Sequence, residues 1–407
     1  MAERASLDVA KLPRLPRDWS YEALEDLLEP SGISYGIVQP GSPDPDGIPI
    51  VRVKDLKGGR VVQDDPLQVS SEIEEKYART RLRGGEVLIS LVGSVGETAV
   101  AAEALSGWNV ARAIGVLRVS HKVSAKWLKT CLSADVAQQY MHTRLNTTVQ
   151  ATLNLRDVRR IPVVMPPDSE RAAIAGVLGA LDDKIEANQA VATTIEALLR
   201  SWYDLFGVRA SRTVRIDDLG HLIRDTVKPD GLSGVEPYIG LEHMPRKSIW
   251  LHAWGQASEV GSTKTSFDSG DILFGKLRPY FRKVGLAQVA GICSTDILVV
   301  RARKADSRAW LLLALSSDEV IEHATGRSDG TRMPRAKWSD LAEFKIPFPD
   351  AEALARFEAV ASPLVERAEL AGAESRTLAA LRDSLLPQLM SGKLRVRDAE
   401  RIVEDAL

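Results

Sequence analysis

The spacing of apolar residues predicts two long helices in this 407-residue chain. Between residues 168 and 206, apolar or small side chains recur in alternating steps of four and three, at Ile174, Leu178, Leu181, Ile185, Asn188, Ala192, Ile195, Leu199, Trp202 and Phe206. This is the a/d pattern of a coiled-coil helix, in which Asn188 could fix the register. A weaker, alanine-rich seam runs from Phe357 to Leu389, and Pro363 predicts a helix start or a kink near that point.

The segments before these seams have the patterns of mixed α/β structure. Apolar runs at 87–92 and 297–300 are bounded by Gly, Asp and Ser and predict strands. Helical spacing at 125–137 and at 307–324 predicts helices. We therefore expect an α/β (α+β) globular part before each long helix.

The chain contains an internal duplication with a period near 183 residues. Residues 83–89 match 268–274, residues 161–163 match 346–348, and residues 194–198 match 377–381. The duplication predicts two globular domains at 1–167 and 208–349, each followed by a helix, at 168–207 and 350–392, with a tail at 393–407.

Charge is segregated along the chain although the net charge is only −2. Residues 112–160 hold nine basic and two acidic side chains, net +7, and residues 264–345 are net +4. The helical segments 168–206 and 350–390 are net −4 and −3. Because DNA binding requires only a local basic face, the two globular domains are candidates for it.

Composition indicates an ordinary soluble protein, with 44% hydrophobic and 27% charged residues. We find no apolar run of membrane-spanning length and no signal-peptide pattern. Cys131 and Cys293 are too few for a disulfide framework or a structural zinc site. We therefore expect a cytoplasmic protein that does not cross a membrane.

No motif in the sequence predicts a catalytic or metal-binding site. Residues 270–277 follow the P-loop pattern, but Leu277 replaces the Ser or Thr that would hold magnesium, and the interior of the motif has a strand pattern. Residues 165–168 lack the Asn and the aromatic residue of an amino-methyltransferase loop. The six histidines form no paired-ligand spacing.

Several segments resemble the specificity (S) subunits of type I restriction–modification enzymes. IPVVMPPDSERAAIAGVLGALDDKIEANQ (161–189) is similar to their central conserved region, and LRDSLLPQLMSGKLRV (381–396) to their C-terminal conserved region. GEVLISLVGSVGE (85–97) and GDILFGKLRPYFRKVGLA (270–287) resemble parts of their two target-recognition domains. The resemblance covers nearly the whole chain.

This resemblance implies a non-catalytic subunit with two target-recognition domains joined by two long antiparallel helices. It implies that the chain reads a bipartite double-stranded DNA target and assembles with two methyltransferase (M) subunits and, where present, restriction (R) subunits. No cofactor is expected on this chain, whereas S-adenosylmethionine is expected in the M subunit. A helix of about 39 residues would be roughly 58 Å long, or about 17 base pairs, and could set the gap between half-sites.

Polar and basic loop residues are the candidates for DNA contacts, because Arg pairs with guanine, Asn and Gln suit adenine, and Lys positions through phosphate. The candidates in the first domain are Lys54, Lys57, Arg60, Arg112, Arg144, Asn146, Thr147, Thr148 and Gln150. Those in the second are Lys264, Lys276, Arg278, Arg282, Lys283, Arg327, Thr331, Arg332 and Arg335. Loops 144–150 and 327–335 lie at equivalent places in the duplication and are the strongest candidates.

Three alternatives remain open from the sequence. The apolar cluster Trp202, Tyr203, Leu205 and Phe206, matched by Leu385, Leu386, Leu389 and Met390, could dock M subunits or belong to the interior of this chain. The chain could instead be a nuclease or methyltransferase with divergent motifs. It could also be a coiled-coil scaffold with no DNA role.

Overall fold

The chain forms two compact units in the computed structural model, which describes residues 12–63, 66–146, 150–330 and 333–406. Unit 1 comprises Met1–Asp182 and Ala380–Leu407, and unit 2 comprises Asp183–Ala379. Both unit boundaries lie inside long helices, so each unit contains a globular part and segments of both helices.

Unit 1 combines short strands with helices. Its strands are β1 (Ser20–Ala23), β2 (Leu28–Tyr35), β3 (Ile48–Val51), β4 (Leu56–Lys57), β5 (Arg60–Val61), β6 (Leu67–Val69), β7 (Val87–Ser90), β8 (Thr98–Val100), β9 (Asn109–Val110), β10 (Ile114–Val119) and β11 (Pro162–Met165). Its helices are α1 (Ser71–Glu75), α2 (Ala125–Ser133), α3 (Asp135–His142), α4 (Leu155–Arg159) and the first part of α5 (Asp168–Val208). Strands β2, β10, β7 and β8 form an antiparallel sheet in that order, and β3 lies between β6 and β9 in a second sheet.

Unit 2 is built from corresponding elements. Its strands are β12 (Arg212–Arg215), β13 (Gly220–Ile223), β14 (Thr226–Val227), β15 (Pro237–Ile239), β16 (Gly255–Gln256), β17 (Lys264–Phe267), β18 (Ile272–Gly275), β19 (Val284–Leu286), β20 (Gly291–Cys293), β21 (Ile297–Ala302) and β22 (Lys345–Phe348). Its helices are α6 (Ile216–Leu219), α7 (Arg308–Leu315), α8 (Asp318–Gly326), α9 (Trp338–Ala342) and most of α10 (Ala351–Met390); α11 (Val396–Ala406) follows in unit 1.

Strand order and register confirm the duplication. The four-stranded sheet β13-β21-β18-β19 repeats the order β2-β10-β7-β8. Val116 pairs with Leu88 in unit 1, and Val299 pairs with Leu273 in unit 2, which preserves the register. Strand β18 occupies the interior of the P-loop-like segment, as its sequence pattern predicts.

Two predicted helices are each broken in the middle. The segment 125–137 is divided between α2 and α3 at Ala134, whose backbone is extended. There the Gln138 side chain donates a hydrogen bond to the Leu132 carbonyl (2.8 Å), which lies at the end of α2. The segment 307–324 is divided between α7 and α8, where the Ser317 side chain accepts from Val320 N (3.4 Å) and caps α8. The apolar residues keep their helical spacing across each break, so the sequence pattern does not reveal it.

The burial of residues along the two long helices confirms the predicted apolar seams. In α5 the seam residues from Ile174 to Leu199 are buried, and in α10 Phe357, Ala361 and Leu389 are buried. In unit 1, Arg382 Nη1 of α10 donates to Asp182 Oδ1 of α5 (2.8 Å). In unit 2, Asn188 donates to Glu374 Oε2 (2.8 Å), which gives this buried amide a partner on the facing helix. No helix in the described ranges is long and apolar enough to cross a membrane.

Of the two outcomes predicted near Pro363, a helix start or a kink, the helix start is wrong. Helix α10 begins at Ala351 and continues through Pro363 to Met390. The Pro363 side chain is exposed. Because proline has no backbone N–H, it cannot donate one of the hydrogen bonds of the helix. Packing of Phe357 and Ala361 on the core of unit 2 stabilises the turns before the proline.

The core of unit 2 encloses a carboxyl group on α10. Glu358 is only 8% exposed, and Ser362 Oγ donates to its Oε2 (3.2 Å). Burial raises the pKa of Glu358 to about 7, against a smaller opposing effect of the Ser362 hydrogen bond. This group therefore stays protonated in the folded unit at pH values where the unfolded chain ionises.

Replacing Glu358 with Gln is expected to remove a pH-dependent loss of stability. Because the folded pKa is raised, the unfolding free energy of the wild type falls as pH rises from about 4.5 to about 7, by roughly 3 kcal/mol from this group. Glu358→Gln should therefore raise the melting temperature at pH 8 and leave it nearly unchanged at pH 4.5. Glu366→Gln, at an exposed position of the same helix, is the control. Equal effects of Glu358→Gln at both pH values would contradict the argument.

Candidate nucleic-acid interface

In each unit, two loops meet at one end of the four-stranded sheet. In unit 1, Gly93 N donates to the Ala151 carbonyl (2.9 Å), which joins the β7–β8 loop to the segment before α4. In unit 2, Arg278 N donates to the Pro334 carbonyl (2.7 Å) in the same way. The bridges Asn146–Thr152 and Asp329–Arg335 also correspond. The described residues that flank these two loops, Asn146 and Thr152 in unit 1 and Asp329 and Arg335 in unit 2, are therefore structurally equivalent, as the duplication predicts.

Unit 2 concentrates cations around its loop pair. Lys276, Arg278, Arg282 and Lys283 all lie in the β18–β19 loop, and Arg335 lies on the facing loop. Arg335 Nε donates to Asp296 Oδ1 (3.1 Å), and Arg282 Nη1 lies 2.6 Å from Asp318 Oδ1. Arg327 is exposed just after α8. The predicted basic residues of this loop pair that the structure describes therefore lie on two facing loops.

The structure adds three residues that sequence reasoning missed. The guanidinium of Arg246 lies 3.8 Å from the ring centroid of Phe281, and Lys247 N donates to the Arg282 carbonyl (3.1 Å). Tyr280 is 47% exposed at the tip of the β18–β19 loop, next to Phe281. The motif Arg-Pro-Tyr-Phe-Arg signals exposed aromatic and cationic groups, but the approach of loop 245–248 depends on tertiary contacts.

One member of this cluster, Lys283, has a pKa below its ordinary value. Lys283 is half-buried, and its Nζ donates to the Leu241 carbonyl. Burial, and then the nearby charge of Arg246, lower the pKa of Lys283. The contribution of Arg246 shows that the two cations lie close enough to repel each other, an arrangement that an anionic ligand would stabilise.

The candidates of unit 1 are more dispersed. Arg144 is exposed and stacks on Tyr140, with 3.5 Å between its guanidinium and the ring centroid. The other exposed candidates lie in the turn before β4, in β4, between β9 and β10, and in the last loop: Lys54, Lys57, Arg112, Asn146 and Gln150. Thr147, Thr148, Thr331 and Arg332 lie outside the described residues.

Two further predicted candidates, Lys264 and Arg60, also have polar atoms engaged within the chain. Lys264 is 8% exposed, and its Nζ donates to Ser262 Oγ (2.6 Å). Arg60 Nη2 donates to the Asp182 carbonyl at 3.3 Å, so this side chain lies against α5. Neither side chain extends into solvent from a loop as the prediction assumed.

Asp182 ties the globular part of unit 1 to both of its helices. Its carboxylate accepts from Lys129 of α2 (2.9 Å) and from Arg382 of α10 (2.8 Å). Burial by itself raises the pKa of Asp182, but the hydrogen bonds from Arg382 and Lys129 outweigh it and hold the pKa below its ordinary value. The carboxylate is therefore stabilised as an anion.

Most of the apolar cluster near the end of α5 belongs to the interior of unit 2. Tyr203 is buried with its ring centroid 4.5 Å from that of Trp310, and Phe206 packs on Phe357. Leu205 is different, because it is 48% exposed, and Leu198, one heptad earlier, is 40% exposed. In unit 1, Leu385, Leu389 and Met390 are buried.

Comparisons with known proteins agree with the resemblance seen in the sequence. Residues 16–197 match the model of the type I restriction modification DNA specificity domain. The chain is 30% identical over 176 residues to the specificity subunit of the type I restriction enzyme EcoBI of Escherichia coli; the match covers 43% of this chain but only 37% of that subunit. It is 20% identical, over 95% of both chains, to the MjaIX specificity subunit of Methanocaldococcus jannaschii.

A solved structure supports the fold. The crystal structure of the type I restriction–modification S subunit from M. genitalium matches 93% of this chain and 98% of its own length, with a TM-score of 0.54 and 12% identity. The mixed units with paired long helices therefore have the fold of an S subunit. Together these matches show that the chain is similar to type I specificity subunits, with residues 16–197 matching the model of the DNA specificity domain.

Proposed function

We propose that this chain recognises a bipartite DNA sequence, with one half-site contacted by each unit. The repeated loop pair, at the same end of the same four-stranded sheet in both units, carries this proposal. Arg144 and Gln150 in unit 1, and Arg278 and Arg335 in unit 2, offer donors suited to bases and phosphates. The basic segments of the sequence coincide with the globular parts that contain these loops.

Salt-dependent DNA binding tests this proposal. The full-length chain is expected to bind duplex DNA with an affinity that falls steeply as salt rises, because each neutralised phosphate contributes about 0.9 to the logarithmic salt slope. Fluorescence anisotropy with labelled DNA, between about 50 and 200 mM salt, measures this slope. Absence of salt-dependent affinity, with the methyltransferase partner present, would favour the scaffold alternative.

We further propose that the chain docks two methyltransferase subunits and, through them, restriction subunits where these exist. The exposed Leu198 and Leu205 form an apolar strip on α5 that is a candidate contact. Their heptad spacing places them on one face of the helix. Light scattering on a purified mixture should give two methyltransferase copies per chain, and a mixture that never associates would contradict docking.

In this proposal the methyl transfer itself takes place on the partner. Its S-adenosylmethionine would be bound there, and this chain would contribute recognition alone. The designation of the matched relatives as specificity subunits supports this division of labour. Methylation of DNA by the purified chain alone, given S-adenosylmethionine, would instead support the enzyme alternative.

A further inference from the structure

Unit 2 holds three cationic residues in a backbone conformation that glycine normally adopts. Among the residues that the structure describes, four non-glycine residues have positive φ. Ser31 (φ 59°) is in unit 1, whereas Lys247 (57°), Arg278 (52°) and Arg282 (53°) are all in unit 2. The left-handed region carries a steric cost for any side chain with a Cβ.

Unit 1 has a glycine at the position equivalent to Arg278, and glycines with positive φ in the segments that correspond to those of Arg282 and Lys247. Gly93 and Arg278 donate corresponding hydrogen bonds, to the carbonyls of Ala151 and Pro334 respectively. Gly93 also has positive φ (81°), as Arg278 does, but it carries no side chain.

The same substitution recurs at the other two positions. Gly96 (φ 93°) and Arg282 each lie two residues before the strand that follows the loop, β8 or β19. Gly59 (φ 82°) and Lys247 each lie four residues after a corresponding helical turn, at 53–55 in unit 1 and 241–243 in unit 2. Where unit 1 avoids strain with glycine, unit 2 therefore places a positive charge.

In unit 1, Gly59 lies against the side chain of Lys129. A Cβ at Gly59 would lie 2.6 Å from Lys129 Nζ, the ammonium that donates to Asp182. A side chain at this position would therefore require the end of the Lys129 side chain to shift. In unit 2 no such constraint is imposed on Lys247, whose side chain is exposed.

Two of the strained cations line a small charged cavity. The cavity has a volume of about 160 Å³ and is lined by Arg200, Lys247, Ser248, Arg282, Val284, Ser316 and Asp318. Arg200 is held at its edge by Glu196 Oε1 (2.8 Å from Nη2) and Ser316 Oγ (3.2 Å from Nη1). Asp318 similarly fixes Arg282 (2.6 Å).

The chemistry of this cavity suits a phosphate group. Three cations, two hydroxyls and one carboxylate, that of Asp318, line the cavity, so cationic groups outnumber anionic ones. The space is several times the roughly 30 Å³ that one water occupies in the liquid. Charge-assisted N–H···O bonds to phosphate are among the strongest protein hydrogen bonds. Backbone strain that persists is commonly retained at ligand-binding sites, because the surrounding structure compensates for it.

We propose that Lys247 and Arg282, together with Arg200, clamp one phosphate of the DNA backbone in unit 2, with Arg278 adding to the local positive field. Unit 1 has glycines instead, so this clamp and its contribution to the salt-dependent affinity belong to unit 2 alone. This inference rests on the function proposed above and adds an asymmetry between the two units. It also explains why strained residues are retained in one copy of the duplication.

Substitution of Lys247 and Arg282 by glycine distinguishes a role in phosphate binding from a role in stabilising the fold. In the full-length variant Lys247→Gly/Arg282→Gly, the strain is relieved and the charges are lost. We expect the melting temperature to stay the same or rise, while Kd for duplex DNA increases at least tenfold and the salt slope falls by about one for each phosphate-contacting cation removed. Ser31→Gly relieves the same strain without removing a charge and should leave DNA binding unchanged.

Each other outcome overturns a defined part of the proposal. If the double variant keeps the wild-type Kd and slope, the clamp is wrong, although the proposed function stands. If the wild type itself shows no salt-dependent affinity, both fail. If inorganic phosphate raises the melting temperature of the wild type but not of the double variant, and DNA affinity is the same in both, the cavity binds a free anion rather than DNA.

Discussion

Inserting seven residues into α5 after Asp182 and seven into α10 after Ala379 is expected to lengthen the gap in the DNA target by about three base pairs. One heptad adds about 10 Å to a helix, and B-DNA rises about 3.4 Å per base pair. The insertion keeps the a/d seam in phase, so helix pairing is preserved within each unit. Sequencing the methylated sites of cells that express the variant with its methyltransferase partner measures the gap.

The original target should no longer be methylated by this variant, while both half-sites keep their sequences. A seven-residue insertion into α10 alone is the control, because it removes the matched pairing and should abolish activity rather than shift the gap. An unchanged gap in the double-insertion variant would show that the helices do not set the spacing.

Replacing Trp310 with Ala is expected to lower the free energy of unfolding of unit 2 by about 3–5 kcal/mol. Trp310 is fully buried on α7, where its ring contacts Tyr203 of α5 and Phe357 of α10, with centroids 4.5 and 5.1 Å apart. Its Nε1 donates to the Pro347 carbonyl (3.1 Å). The substitution would leave a cavity where α7, both long helices and β22 meet.

Urea unfolding followed by circular dichroism measures this loss, and hydrogen exchange over residues 183–379 locates it. Trp310→Phe, which keeps an aromatic ring but loses the Nε1 donor, should cost about 1–2 kcal/mol. A loss below 1 kcal/mol for Trp310→Ala would mean that Trp310 is not central to this core.

The long helices and the duplication could be predicted because they depend on regular spacing. The seam from Ile174 to Leu199 is buried as its period requires. The break at Ser317 could not be predicted in this way, because a serine cap interrupts the helix without changing the apolar pattern. Pro363 misled the prediction because packing of α10 on the unit 2 core overrides a local preference.

The candidate site was only partly predictable, because tertiary contacts assemble it. Arg278 and Pro334 are distant in sequence but joined by a backbone hydrogen bond, and the equivalence of the two last loops could be inferred from the duplication. The approach of Lys247 to Arg282 could not be inferred, and neither could their left-handed backbone. The burial of Lys264 could not be inferred either, because it depends on the packing around β17.

The most direct test of the central claim is the methylated DNA motif in a host that expresses this chain with its methyltransferase subunit. Two recognition units predict two short specific half-sites separated by a fixed run of unspecified bases. A single uninterrupted motif, or no new methylated motif at all, would contradict the account.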